Sequence, residues 1–262
     1  MNDYRRCSAV PVGVSTAVHE RHPMGACTVA VQGVREEWFP AGMERSREIL
    51  RRAVPLLRRA VRGEKAPSVT EIAQRTRSPF RVLVSTVISA RTKDEVTAAA
   101  SERLFARTAA PAGMAALTER TIAKLIFPAG FYRTKARSIR ALSRMIVDDF
   151  GGRVPDTIDG LLALPGVGRK TANLVVTHGF GKPGICVDTH VHRITNRLGA
   201  VRTRNPHETE FALRAVLPKR HWIEINELLV TYGKRICAPI SPFCSRCAVS
   251  DRCGRVGVKR TR

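Results

Sequence analysis

Acidic residues are scarce in this chain: 22 aspartates and glutamates stand against 45 lysines and arginines over 262 residues, a formal net charge of +23. Such an excess costs self-repulsion unless a polyanion offsets it, so nucleic acid is the leading partner. The basic residues are dispersed over predicted helices and are not gathered in one tail, which tells against a charge surplus kept for solubility alone. Long apolar runs are also missing. None approaches the about 20 residues that span a bilayer. The longest candidate, FRVLVSTVISA, is broken by Arg81, Ser85 and Ser89. No early segment has the continuous apolar region of a signal peptide. No segment shows strand alternation with turn punctuation, so the expected fold class is all-α.

Charge marks a boundary. Residues 1–43 balance Arg5, Arg6, Arg21 and Arg35 against Asp3, Glu20, Glu36 and Glu37, so the whole surplus lies in residues 44–262. The first 43 residues carry no sustained helical or strand period. They read as a disordered leader, with Met43 as an alternative start. From Glu44 onward, Ile49, Leu50, Ala53, Val54, Leu57, Ala60 and Val61 share one helical face, with Pro55 expected to kink or split the helix. Ser78 and Pro79 are the cap and first residue of a nearly all-apolar helix through about Ile88. Helices follow in KDEVTAAASERLFARTA, TERTIAKLIF and YRTKARSIRALSRMIVDDFGG, the last stopped by two glycines. TIDGLLAL, the tight turn PGVG and RKTANLVVTHGF make a helix–turn–helix unit. DTHVHRITNRLGA, PHETEFALRAVLP and HWIEINELLVTYGKRIC continue the helical pattern.

Of seven cysteines, Cys7, Cys27 and Cys186 are scattered, whereas Cys237, Cys244, Cys247 and Cys253 form C-x6-C-x2-C-x5-C. Clustering in one short segment points to metal before disulfide. Four thiolates so spaced enclose either an iron–sulfur cube or a tetrahedral zinc. Paired C-x2-C units, common in structural zinc sites, are absent, and so is the ferredoxin run, so spacing alone leaves the choice open.

LPGVGRKTAN, Leu164 to Asn173, ends like a nucleotide-binding P-loop in Lys170 and Thr171. The required glycines are missing: Arg169 precedes the lysine, Leu164 stands at the first glycine position, and no strand comes before. A hairpin fits better. Gly166 and Gly168 permit a tight turn that aims backbone N–H groups outward at a helix N-terminus, which suits a DNA phosphate. Pro165, Gly166, Val167 and Gly168 are therefore the candidate DNA-gripping residues. Lys170 lies in the first turn of the next helix, where the helix-end potential and Arg169 disfavour a charged ammonium. A neutral amine is what nucleophilic catalysis requires. Asp188 follows in VDTHVHR. A lone lysine is usually a solvated charge and an aspartate before threonine usually a helix cap; together behind such a hairpin they form a candidate catalytic pair. His190 and His192, two apart on a helix, point to different sides and are read as structural or DNA-proximal.

These segments, in this order, resemble the endonuclease III family of helix–hairpin–helix DNA glycosylases, iron–sulfur branch. LPGVGRKTAN, VDTHVHRITNRL, the four-cysteine tail, SPFRVLVSTVISARTKD and GFYRTKARSI carry the likeness, from about Glu44 to Cys253. The resemblance implies two all-α lobes with DNA along the cleft: 68–180 with the hairpin, and 44–67 plus 181–253 with a [4Fe–4S] cluster on the four cysteines. Residues 254–262 remain as a basic tail. It implies a cytoplasmic, nucleoid-associated monomer that acts on double-stranded DNA and has no membrane contact. The activity implied is excision of oxidised pyrimidines and cleavage 3′ to the abasic site by β-elimination. Lys170 is the implied nucleophile and Asp188 the carboxylate that stabilises sugar charge and assists proton transfer. Phe131 aligns with an apolar wedge, commonly leucine, though a phenylalanine there also suits a core. Arg91 stands where a glutamine is usual, so it faces the orphaned base or a phosphate. The interval APISPF between the first two cysteines lacks the family's basic residues, which leaves Lys234, Arg235, Arg246 and Arg252 as the nearest substitutes.

Two alternatives remain: a thymine or adenine mismatch glycosylase of the same superfamily, and a non-catalytic iron–sulfur DNA-binding protein. Purified protein is expected to show a thiolate-to-iron absorption shoulder near ~400 nm; a colourless protein carrying zinc overturns the cluster assignment.

Overall fold

A computed structural model describes residues 34–262. Among them it contains twelve α-helices: α1 Met43–Ala60, α2 Ser68–Thr76, α3 Pro79–Ser89, α4 Asp94–Arg107, α5 Pro111–Ala116, α6 Glu119–Ile126, α7 Tyr132–Asp148, α8 Ile158–Leu162, α9 Arg169–Leu174, α10 Thr189–Leu198, α11 Pro206–Val216 and α12 Glu224–Arg235. A turn of π-helix, Val175–Gly179, continues α9. No strand occurs among the described residues, so the all-α class holds. α2 and α5 lie outside the helices expected from the sequence.

Local chemistry sets several boundaries. The Ser78 Oγ accepts from Arg81 N at 3.4 Å, and Pro79 opens α3. Thr118, Thr157 and Asn205 cap α6, α8 and α11 in the same way. Of the two outcomes expected at Pro55, a kink or a split, the split does not occur: α1 is a single helix through the proline. The proline ring lies on the exposed face, and Leu50, Ala53, Val54 and Leu57 around it are fully buried. Their packing outweighs the one backbone hydrogen bond that proline removes.

Two hydrophobic cores form. The first gathers α2 to α9, with the apolar α3 at its centre and Val175 and Val176 beyond α9. The second joins α1 to α10, α11 and α12. The non-helical link between Phe180 and Asp188 threads between them. Ile185 and Val187 enter the second core and Cys186 the first, the alternation of an extended chain.

The expectation of a leader through residue 43 fails at its end. Trp38 and Phe39 are 6% and 4% exposed and lie in the second core. Trp38 also accepts a backbone hydrogen bond from Arg202 N at 2.8 Å. Composition masks this, because two aromatics beside balanced charges carry no periodicity. Residues 1–33 of the expected leader lie outside the described residues. A chain started at Met43 lacks both rings, so its denaturant midpoint is expected to fall, and Trp38→Ala alone to cost about 3 kcal/mol. An unchanged midpoint contradicts the packing.

Candidate active site

The hairpin owes its shape to Gly166. Its φ is +78°, and a Cβ there would lie 2.7 Å from the Ser138 Oγ of α7. Gly168 differs: its φ is −98°, and a Cβ would meet nothing within 4 Å. The expectation that both glycines serve the turn therefore holds for Gly166 alone. Gly168 is exposed, and the N–H groups of Gly168, Arg169 and Lys170 find no acceptor among the described residues. Pro165 is half-buried, and Val167 anchors the turn in the first core.

Arg169 turns away from solvent. Its Nε and Nη2 donate to the Glu210 carboxylate at 2.7 and 3.0 Å, and its guanidinium lies 4.9 Å over the Phe211 ring. The charge set against Lys170 by the sequence argument is thus paired with a carboxylate that is itself 3% exposed. Lys170, next in the helix, is exposed and lines a cavity of about 480 Å³.

Asp188 lines the same cavity from the start of α10. Its Oδ1 accepts from His190 N at 2.8 Å and Val191 N at 2.9 Å. It is therefore a helix cap as well as a cavity carboxylate, and Oδ2 has no donor among the described residues. The structure brings Lys170 and Asp188 together although 17 residues intervene in the sequence. The link is held by the Asn226 side chain, which donates to Cys186 O at 3.0 Å. Burial pushes the Cys186 thiol up to about 12, so it stays protonated and offers no competing nucleophile.

His190 also reaches the cavity, with Arg193 Nη2 at 3.1 Å from its Nδ1. Burial first, then the positive charge of Arg193, lowers its pKa against the opposing pull of Asp188. His192 points elsewhere, its Nδ1 at 2.7 Å from the Thr209 hydroxyl. Sequence reasoning missed an ion pair that joins α4 to α12 at the cavity wall, Asp94 with Lys234. Arg235 likewise pairs with Glu64. Two of the four cations named as substitutes near the cysteines, Lys234 and Arg235, are thus already engaged. Arg246 instead lies 4.5 Å over the Phe243 ring, with Arg262 over the same ring at 4.0 Å.

Phe131 is 63% exposed, so it belongs to neither core. Arg91 is exposed beside it, its guanidinium 5.6 Å from the ring centroid. Both residues adopt left-handed backbone, φ +50° and +56°, at a cost of about 1–2 kcal/mol each. Phe127, also 57% exposed, stands edge-on to Tyr132 at 5.3 Å.

The four cysteines are half-buried. Cys237 follows α12, Cys244 and Cys247 bracket one short turn and Cys253 closes another; Cys237, Cys247 and Cys253 pack against the second core. No group of three or more His, Cys, Asp or Glu among the described residues is placed to hold a single metal ion. The Sγ atoms of Cys237, Cys247 and Cys253 each lie within donor reach, of Arg197 Nη1 at 3.4 Å, Tyr232 OH at 3.1 Å and Arg255 N at 3.4 Å. Burial, with the like charges of Cys247, Cys237 and Cys244, pushes the Cys253 thiol up against the pull of the Arg255 N–H. Three of the four sulfurs thus have a donor at hand, which suits thiolate ligands of a metal centre.

Residues 84–219 match the family model described as HhH-GPD superfamily base excision DNA repair protein. The chain belongs to that superfamily, within its endonuclease III branch. It is 51% identical over 175 residues to endonuclease III of Thermotoga maritima, covering 67% of this chain and 82% of that one. Endonuclease III of Bacillus subtilis is 39% identical over 184 residues, 70% of this chain and 84% of that one. A solved structure of a trapped endonuclease III–DNA covalent intermediate superposes with TM-score 0.72 at 34% identity, covering 79% of this chain and 95% of that one.

The two glycines predict different outcomes. Gly166→Ala is expected to lose about 1–3 kcal/mol of stability through its backbone and the Ser138 contact. Gly168→Ala is expected to stay within about 0.5 kcal/mol of the parent. Equal losses in chemical denaturation contradict this division.

Proposed function

We propose that this chain excises oxidised pyrimidines from duplex DNA and then cleaves the strand 3′ to the abasic site through a Schiff base on Lys170. One observation carries the reading: a lysine and a carboxylate from separate elements line a single cavity behind an open hairpin. Its volume lies in the range that takes a small ligand such as one flipped nucleoside.

The hairpin comes first. Backbone N–H groups from Gly168 to Lys170 are free to take a phosphate, and the bare Gly168 lets the strand approach closely. Lys170 attacks from the same turn: the Nζ lone pair forms a bond to C1′ as the N-glycosidic bond breaks, and its electrons leave with the base. Asp188 supplies the negative charge for the positive sugar that develops, and it assists proton transfer. Ring opening gives an iminium, which acidifies C2′. Loss of the C2′ proton sends electrons toward the iminium and expels the 3′ phosphate oxygen, so the strand breaks. Arg91 and Phe131 fill the gap left by the extruded nucleotide.

We further propose a [4Fe–4S] cluster on Cys237, Cys244, Cys247 and Cys253. When bound it supplies a covalent cross-link over a segment short of regular structure. Arg197, Tyr232 and the Arg255 N–H orient its thiolates.

Borohydride is expected to trap the protein on abasic-site DNA. Lys170→Ala should abolish the adduct, and an adduct that survives ends the mechanism. Asp188→Asn separates charge from capping, because asparagine caps as well as aspartate. It should leave the melting temperature near the parent's while excision falls by about 10²–10⁴-fold. Activity within a few-fold of the parent removes Asp188 from the chemistry.

A further inference from the structure

Lys135 lies in the first turn of α7, yet it is only 6% exposed. Its three ammonium protons are all accounted for. Nζ donates to Ile88 O at 2.7 Å, to Ala90 O at 2.6 Å and to the Thr92 hydroxyl at 2.8 Å. The two carbonyls belong to the C-terminal end of α3 and the turn beyond it, where a cation is favoured. No carboxylate among the described residues is a partner. Desolvation draws its pKa down to about 8. A buried cation held by neutral acceptors costs more than an apolar side chain of the same length, so core packing alone does not explain it.

What Lys135 holds is the underside of the two exposed residues described above. Arg91 sits between Ala90 and Thr92, two of its acceptors. The Thr92 hydroxyl also accepts from Gly130 N at 3.1 Å, and Gly130 directly precedes Phe131. The two turns touch through their backbones: a Cβ on Gly130 would lie 2.5 Å from Arg91 O. Above this contact, Arg91 and Phe131 stand in left-handed conformation, cation over ring. A strained exposed pair keeps such a geometry only when the backbone beneath is over-determined.

We propose that Lys135 is a positioning residue that joins the Arg91 turn to the Phe131 turn, so that the two side chains enter the DNA stack as one preassembled wedge. The inference rests on the base-flipping reading above. Preassembly spares the ordering of two separate loops at the moment the nucleotide leaves the stack. Lys135 touches neither DNA nor the reacting atoms.

The test compares one abasic strand in two forms, using full-length protein. In the duplex the gap must be filled, and 2-aminopurine opposite the site reports local unstacking; the single strand has no stack to fill. Lys135→Met removes the ammonium at similar length. Gly130→Ala leaves Lys135 intact but forces the turns apart. Both variants are expected to trap with borohydride about tenfold or more slowly on the duplex and within about twofold of the parent on the single strand, with a smaller 2-aminopurine response. Equal losses on both forms, or an unchanged duplex rate, overturn the proposal. If Lys135→Met fails to fold, Gly130→Ala decides alone. A parent protein that traps neither form sinks the Schiff-base reading instead, which keeps the two failures distinct.

Discussion

Glu210 lies buried between Arg169 of α9 and Arg214 of its own helix, and this pairing sets the direction in which Lys170 points. Arg169 grips it in a bidentate fork, and Arg214 donates to its Oε1 through Nε at 3.1 Å and Nη2 at 2.9 Å. Asn173, four residues after Arg169 and on the same face of the helix, lies 3.4 Å from Arg214 Nη2 through its Oδ1. Successive helical residues are rotated by about 100°. Fixing Arg169 and Asn173 against α11 therefore turns Lys170 toward the cavity. Removing one member of a buried ion pair costs about 3–5 kcal/mol, because the remaining charge stays desolvated. The carboxylate thus anchors α9 across two cores.

The positive surplus is not uniformly available to a polyanion. Lys234 and Arg235 are paired with Asp94 and Glu64, and Arg58 with Glu224. Such half-exposed pairs add little stability. Their effect is geometric: each joins an early helix or turn to α12, and the Asp94 pair does so at the cavity wall. The cations with no carboxylate partner among the described residues include Arg91 on its turn and Lys170 in the cavity. The strong overall charge brings DNA near, while local pairing determines where phosphate can settle.

Much of this was legible in the residues. The Ser78–Pro79 start of α3, the Pro-Gly-Val-Gly hairpin and the four-cysteine spacing each carry their cause locally. Lys170 and Asp188 stand out in the sequence because a hairpin and a helix cap flank them, and both line one cavity. Lys135 was hidden, since a lysine in YRTKARSIR looks like part of a solvated face. Its burial depends on carbonyls more than forty residues away. Glu210 was hidden for the same reason, because PHETEFALRAV reads as an ordinary amphipathic helix until α9 is placed against it. Pro55 shows the converse: the four buried residues around it keep α1 from splitting there.

The second core has a consequence for how the chain is made. Trp38, Phe39 and α1 emerge from the ribosome before the first core is made, yet their partners in α10 to α12 follow it. Well over a hundred residues separate them, on the order of ten seconds or more of synthesis. The first core, drawn from one continuous stretch, can close during that interval. The amphipathic α1 must meanwhile wait with its apolar face uncovered, so the newborn chain offers a natural client site to a chaperone before it ever meets DNA.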